Sequence, residues 1–137
     1  PLKGCETIGC ETFSGEKIAM FYSHPTLLSI AETCTHPVAG GKILSGKIAS
    51  ADAWLDRKDF IALMHETFGS CGEDMETASV AQLCHMHNLP MLSVRMLSNT
   101  RVHDEEYDES VASHVQTFTL QVVDKILSQA FPDGIMH

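Results

Sequence analysis

Between Met91 and Leu97 the chain reads Met-Leu-Ser-Val-Arg-Met-Leu, a nearly continuous apolar run with Pro90 before it and Ser98-Asn99 after it. A short apolar run of this kind predicts a central strand, covered on both faces and paired in parallel. The stretch before it, Thr77 to Asn88, carries Ala78, Val80, Ala81, Leu83, Cys84 and Met86 widely around a helical wheel. That distribution predicts a helix buried over much of its surface, stopped by Leu89-Pro90. Strand, helix and strand at this spacing form a right-handed crossover unit, so the chain is expected to be α/β.

The junction feeding this unit is acidic: Gly72-Glu73-Asp74-Met75-Glu76-Thr77-Ala78. Open α/β sheets bind ligands beyond the carboxyl ends of their strands. If the junction lies at such an end, its carboxylates face that crevice, and Glu76 is the leading candidate for site chemistry. Its carboxylate would accept hydrogen bonds from sugar hydroxyls while the helix amino terminus steadies its charge. A helix-start acid favoured by the macrodipole explains Glu76 equally simply. Asn99, directly after the apolar run, either caps a turn or points at a ligand. Arg95 lies inside the run and needs an acidic partner, because an unpaired buried guanidinium is too costly. Asp74, Glu73 and Glu76 are the partners on offer.

Elsewhere, Lys17 to Tyr22 is β-prone. Pro25 opens a short helix over Thr26 to Cys34 that His36-Pro37-Val38-Ala39-Gly40-Gly41 ends. Lys42 to Ser50 reads as a strand, with Gly46 marking a close approach. Ser50 or Asp52 is expected to cap a helix over residues 56 to 66, and Gly69-Ser70-Cys71-Gly72 resets the chain. After a polar, acidic loop from Thr100 to Asp108, Val111, Val115, Phe118, Val122, Val123, Ile126 and Ala130 recur at helical spacing. Phe131-Pro132-Asp133-Gly134 closes that last helix.

The 137 residues fit one domain, and Pro1 in first place suggests part of a longer chain. Nine Lys and Arg against 18 Asp and Glu give a net charge of -9, which argues against binding nucleic acid through its phosphates. No apolar run approaches a membrane span and no leader precedes a cleavage site, so a soluble, cytoplasmic protein with no membrane partner is expected. Five cysteines without a Cys-x-x-Cys pair read as free buried thiols. His85 and His87, two apart on a helix, point in different directions and cannot chelate together. No metal site is expected.

Taken together, Asp74-Met75-Glu76-Thr77-Ala78, Ala81-Gln82-Leu83-Cys84-His85 with Asn88 and Pro90, and Val94-Arg95-Met96-Leu97-Ser98-Asn99 resemble the carboxyl half of the methylthioadenosine/S-adenosylhomocysteine nucleosidases. These belong to the wider purine nucleoside phosphorylase and nucleosidase family, and the similarity runs from about Phe21 to Ile126. Ser45-Gly46 followed by Ser50-Ala51-Asp52 is also similar to the phosphorylases. The resemblance implies a three-layer α/β/α fold with a mixed central sheet, represented here by its carboxyl-terminal half. It implies hydrolysis of the N-ribosidic bond of a purine nucleoside, with Glu76 on the ribose hydroxyls and Met75 packed against the ribose. Ala49 and Ser50 match the segment contacting the purine, although the family's stacking aromatic there has no counterpart.

Where the family carries a catalytic aspartate after the last strand's serine, this chain has Asn99 after Ser98. An amide donates a hydrogen bond but cannot hand over a proton as a carboxylic acid does. Related phosphorylases of 6-oxopurines use asparagine at the base, which keeps phosphorolysis open as an alternative. Tyr107-Asp108-Glu109 resembles the family's Phe-Asp-Glu, placing Tyr107 at the 5′ substituent. Among the partners on offer to Arg95, Asp74 is the candidate for an orienting ion pair, with a purely structural pair the equal alternative. No metal or organic cofactor is implied, phosphate enters only as co-substrate of a phosphorylase, and the expected assembly is a homodimer. A nonenzymatic nucleoside-binding or storage protein is the reading from a different class.

Overall fold

A computed structural model describes residues 10–11, 15, 17–54, 57–99 and 106–130. In chain order the elements are β1 (Cys10–Glu11), β2 (Lys17–Ile18), α1 (Pro25–Glu32), β3 (Lys47–Ser50), α2 (Lys58–Phe68), β4 (Ser70–Asp74), α3 (Thr77–Met86) and α4 (Val111–Ala130). β1 pairs antiparallel with β2, and β3 pairs parallel with β4. The chain is α/β, and its crossover unit is β3–α2–β4, one unit earlier than the sequence pattern predicts.

α1 begins as expected with Pro25 in its first turn, where a missing amide hydrogen costs nothing. Its carboxyl end is closed from α4. Lys125 Nζ donates to the Thr33 carbonyl at 2.6 Å. Gln121 uses both ends of its amide on Thr35, accepting from the backbone N–H at 3.1 Å and donating to the carbonyl at 3.2 Å. Gln121 and Lys125 are four apart, so they share a face of α4, and the Lys125 charge complements the negative end of α1.

The same two helices make the core. Ile30, Ala31 and Cys34 of the α1 segment meet Phe118 and Val122 of α4, with Ile43, Leu92, Val94 and Ile126 packed around them. Of the stripe its periodicity predicts, the final helix buries Phe118 and Val122 and half-buries Val111, Val115 and Ile126, while Val123 and Ala130 remain on the surface.

The run from Met91 to Leu97 departs from expectation. It forms no strand ladder among the described residues. Its main chain is tied at either end, where the His24 amide donates to the Met91 carbonyl at 2.7 Å and the Asp108 amide to the Ser98 carbonyl at 3.0 Å. Side chains still alternate: Leu92 and Val94 join the core, while Ser93 and Arg95 turn to the start of α3. An apolar pattern thus specifies which face is covered, but a ladder requires a neighbour to supply its bonds. β4 shows the converse, pairing although Ser-Cys-Gly-Glu-Asp is poor in strand formers.

Two further expectations change. α3 buries Ala81 alone, whereas Val80 and Leu83 are 51% and 58% exposed. α2 starts at Lys58 with no side-chain cap, so neither Ser50 nor Asp52 opens it. Gly69 ends it in the left-handed conformation at φ 66°, which glycine adopts without a Cβ clash. At Gly46 the close approach is real, since an added Cβ would strike Cys71 Sγ. Of the cysteines whose surroundings are described, Cys34 is buried and Cys71 is exposed, so the thiols are not uniformly interior. Residues 100–105 of the expected loop, the helix stop at 131–134 and residues 1–9 lie outside the described residues.

Candidate functional site

Parallel pairing brings the carboxyl ends of β3 and β4 side by side, with Ser50 opposite Asp74 and Ala49 opposite Glu73. α3 starts directly beyond, and the first amides of a helix have no partner within it. Here neighbouring side chains supply them. The Thr77 amide donates to Asp74 Oδ1 at 3.2 Å, and the Ala78 amide donates to Ser50 Oγ at 3.0 Å. Glu76, at the cap position, makes no side-chain cap bond. Ser50 therefore caps a helix, but it caps α3 from the adjacent strand.

Around Asp74 the polar groups converge. Arg95 Nε lies 2.7 Å from Asp74 Oδ2. The Thr77 hydroxyl donates to the same carboxylate and accepts from Arg95 Nη2 at 2.8 Å and Nε at 3.2 Å. Ser93 Oγ stands 3.3 Å from that hydroxyl. Arg95 Nη2 also reaches toward Glu76 Oε2 at 3.9 Å, and Glu76 Oε2 accepts from the Met75 amide at 3.3 Å.

Exposure grades across the cluster: the Asp74 side chain is 9% exposed, Arg95 45% and Glu76 65%. Burial alone would raise the Asp74 carboxyl, but hydrogen bonds from Thr77 and Ser50 and the Arg95 charge outweigh it and hold the group below its ordinary 3.8. Burial does raise the Glu73 carboxyl above its ordinary 4.5. Asp74 is thus occupied internally, whereas the outward Glu76 carboxylate is available to accept hydrogen bonds from a ligand.

The remaining sequence-predicted residues are less closely joined. Ser98 Oγ donates to Asn99 Oδ1 at 3.0 Å, and both residues are half-buried. Among the described residues no hydrogen bond or ion pair links Asn99 to Glu76. Asn99 follows Arg95 by four residues, a span of at most about 14 Å along extended chain. Met75 is 45% exposed and Tyr107 62%, while Ala49 is half-buried on β3.

A small cavity of about 150 Å³ lies elsewhere, lined by residues that include Phe21, Cys84, His85 and Asn88. It adjoins the far end of α3, about 15 Å from Glu76 by helical rise, and is below the ~300 Å³ lower bound typical of small-molecule pockets. Among the described residues no group of three or more His, Cys, Asp or Glu side chains converges as for a metal ion, and no helix is long and apolar enough to cross a membrane.

Sequence reasoning missed Thr77 as the joint of the cluster. The available signal was a hydroxyl three residues after an acid at a helix start, the spacing at which a capping carboxylate meets the first turn.

The chain belongs to the phosphorylase superfamily, whose family model matches residues 14–128. Its similarity is to proteins named 5'-methylthioadenosine/S-adenosylhomocysteine nucleosidase from Bacillus cereus (strain B4264), Bacillus thuringiensis (strain Al Hakam) and Bacillus anthracis (strain CDC 684 / NRRL 3495), each 25% identical over 112 residues. The similar region covers 77% of this chain and 48% of each relative, so the chain spans about half the length of the curated relatives it matches. No solved structure matches the chain.

Proposed function

We propose that this protein cleaves the N-ribosidic bond of a purine nucleoside by hydrolysis, with methylthioadenosine or S-adenosylhomocysteine as substrate. The observation that carries this reading is the similarity to nucleosidases through a segment that presents Glu76 at the joined ends of β3 and β4. Glu76 holds the ribose hydroxyls, Met75 packs on the sugar, and Ala49 and Ser50 lie toward the purine. Ser98 and Asn99 steady the departing base, and Tyr107 meets the 5′ substituent.

As the bond from C1′ to N9 breaks, its electron pair leaves with the purine, and water oxygen bonds to the oxocarbenium-like sugar with loss of a proton. Preorganised charge stabilises that sugar. Asn99 donates a hydrogen bond to the base, and the proton gained by the purine comes from solvent. The reading includes a three-layer α/β/α fold with a mixed central sheet, a homodimer, a cytoplasmic location and no metal or organic cofactor.

Base release from methylthioadenosine, followed by chromatography with and without phosphate, tests it. Release without phosphate is expected, and Glu76→Gln should lower kcat/KM by about 100-fold or more, the range for a group acting at the reacting centre. An unchanged rate in that variant would exclude the ribose role. Asn99 favours one second reading, phosphorolysis of a 6-oxopurine nucleoside, which requires phosphate and faster turnover of inosine than of methylthioadenosine. Calorimetry showing adenosine binding without any base release would instead identify a nucleoside-binding protein.

A further inference from the structure

We propose that Thr77 is a positioning residue: its hydroxyl locks the Arg95 guanidinium against Asp74 and so sets how that guanidinium meets Glu76. The kinetic consequence rests on the nucleosidase reading above, whereas the structural consequence does not.

An arginine has five N–H donors in a rigid fork and no acceptor, so its orientation is decided by the acceptors around it. Asp74 Oδ2 takes the Nε hydrogen at 2.7 Å, which fixes one corner of the fork. One corner leaves the outer nitrogens able to rotate about the bond from Nε to Cζ. Thr77 Oγ1 removes that freedom by accepting from Nη2 at 2.8 Å and from Nε at 3.2 Å.

The hydroxyl has the right polarity for both neighbours. Its own hydrogen goes to Asp74, leaving its lone pairs for Arg95. The same Nη2 that Thr77 holds lies 3.9 Å from Glu76 Oε2. Thr77 is also anchored, because its amide is bonded to the other Asp74 oxygen. Arg95 is 45% exposed and Glu76 65%, so without this restraint water would compete for the guanidinium and let it swing away.

The test compares Thr77→Val, which keeps shape and removes the hydroxyl, with Thr77→Ser, which restores it, and Thr77→Ala serves if the valine variant does not fold. Rotation of the Arg95 guanidinium, measured by 15N NMR, is expected to be slow in the wild type and Thr77→Ser and faster in Thr77→Val. Loss of hydrogen bonds to charged groups should raise KM for methylthioadenosine by about 10-fold while kcat changes by less than about 3-fold. Thr77→Ser should recover the KM.

Unchanged rotation in Thr77→Val, or a raised KM that serine does not rescue, overturns the proposal. If the wild type releases no base, the nucleosidase reading fails, and rotation alone then decides: faster in Thr77→Val supports the lock, and unchanged refutes it.

Discussion

Asp74 and Glu76 are two residues apart, yet their surroundings assign them different work. Asp74 is covered and bonded to Thr77 and Arg95, and its carboxyl sits below its ordinary value. A depressed carboxyl stabilises the folded state above its unfolded value, and that contribution is lost as pH falls through the folded value. In circular dichroism titrations the wild type should therefore lose stability below about pH 4, and Asp74→Asn should flatten that acid limb. An acid limb identical in both proteins would remove Asp74 from the account.

At the other end of the segment, the amide of Asn99 stands where the resembling family has a carboxylic acid. If general-acid transfer is the missing step, Asn99→Asp should speed base release from methylthioadenosine by about 10²-fold or more, as general acids typically do. A slower variant would indicate that the amide suits the base actually bound. Glu76, Asp74, Arg95 and Asn99 were all legible as candidates from residue type and position. Thr77 was not, because a helix-start threonine is common and its second task depends on Arg95 arriving from 18 residues away.

Among the elements, helices were the easier to read. The stripe in α4 predicted its buried Phe118 and Val122, and truncating a packed phenylalanine leaves a cavity. Phe118→Ala should cost about 3 kcal/mol or more in urea denaturation. Pro25 marked the start of α1 because its effect is local. Strands were harder. The most strand-like run, Met91 to Leu97, forms no ladder among the described residues, whereas Ser70–Asp74 does.

The start of α3 shows the same dependence on neighbours, since its second amide is satisfied by Ser50 from β3. Ser50→Ala should lower stability by about 1 kcal/mol, the usual value of a helix-capping hydroxyl. A smaller change than a few tenths would show that solvent replaces the bond without loss.

For the whole molecule, charge gives the broadest constraint. A net charge of -9 repels a phosphate backbone, so the protein should not shift a duplex oligonucleotide at about 50 mM salt, where electrostatic binding is strong. A shift abolished by modest salt would point instead to a local basic surface. The family match covers residues 14–128, so membership rests on most of the chain, while the exposed Val80 and Leu83 of α3 depended on what the fold sets against them.

What the amino-acid order determined by itself was local or compositional: the buried Phe118 and Val122 of α4, the proline start of α1, the acidic junction, the charge, and the motif combination resembling the nucleosidases. Each of these is carried by residues close together in the chain. The tertiary structure decided the ladder of β3 with β4, the capping of α3 by Ser50 and the bonding of Arg95 to Asp74 and Thr77. Those rest on hydrogen bonds between segments distant in sequence, whose donors and acceptors acquire partners only when folding brings them within about 3 Å.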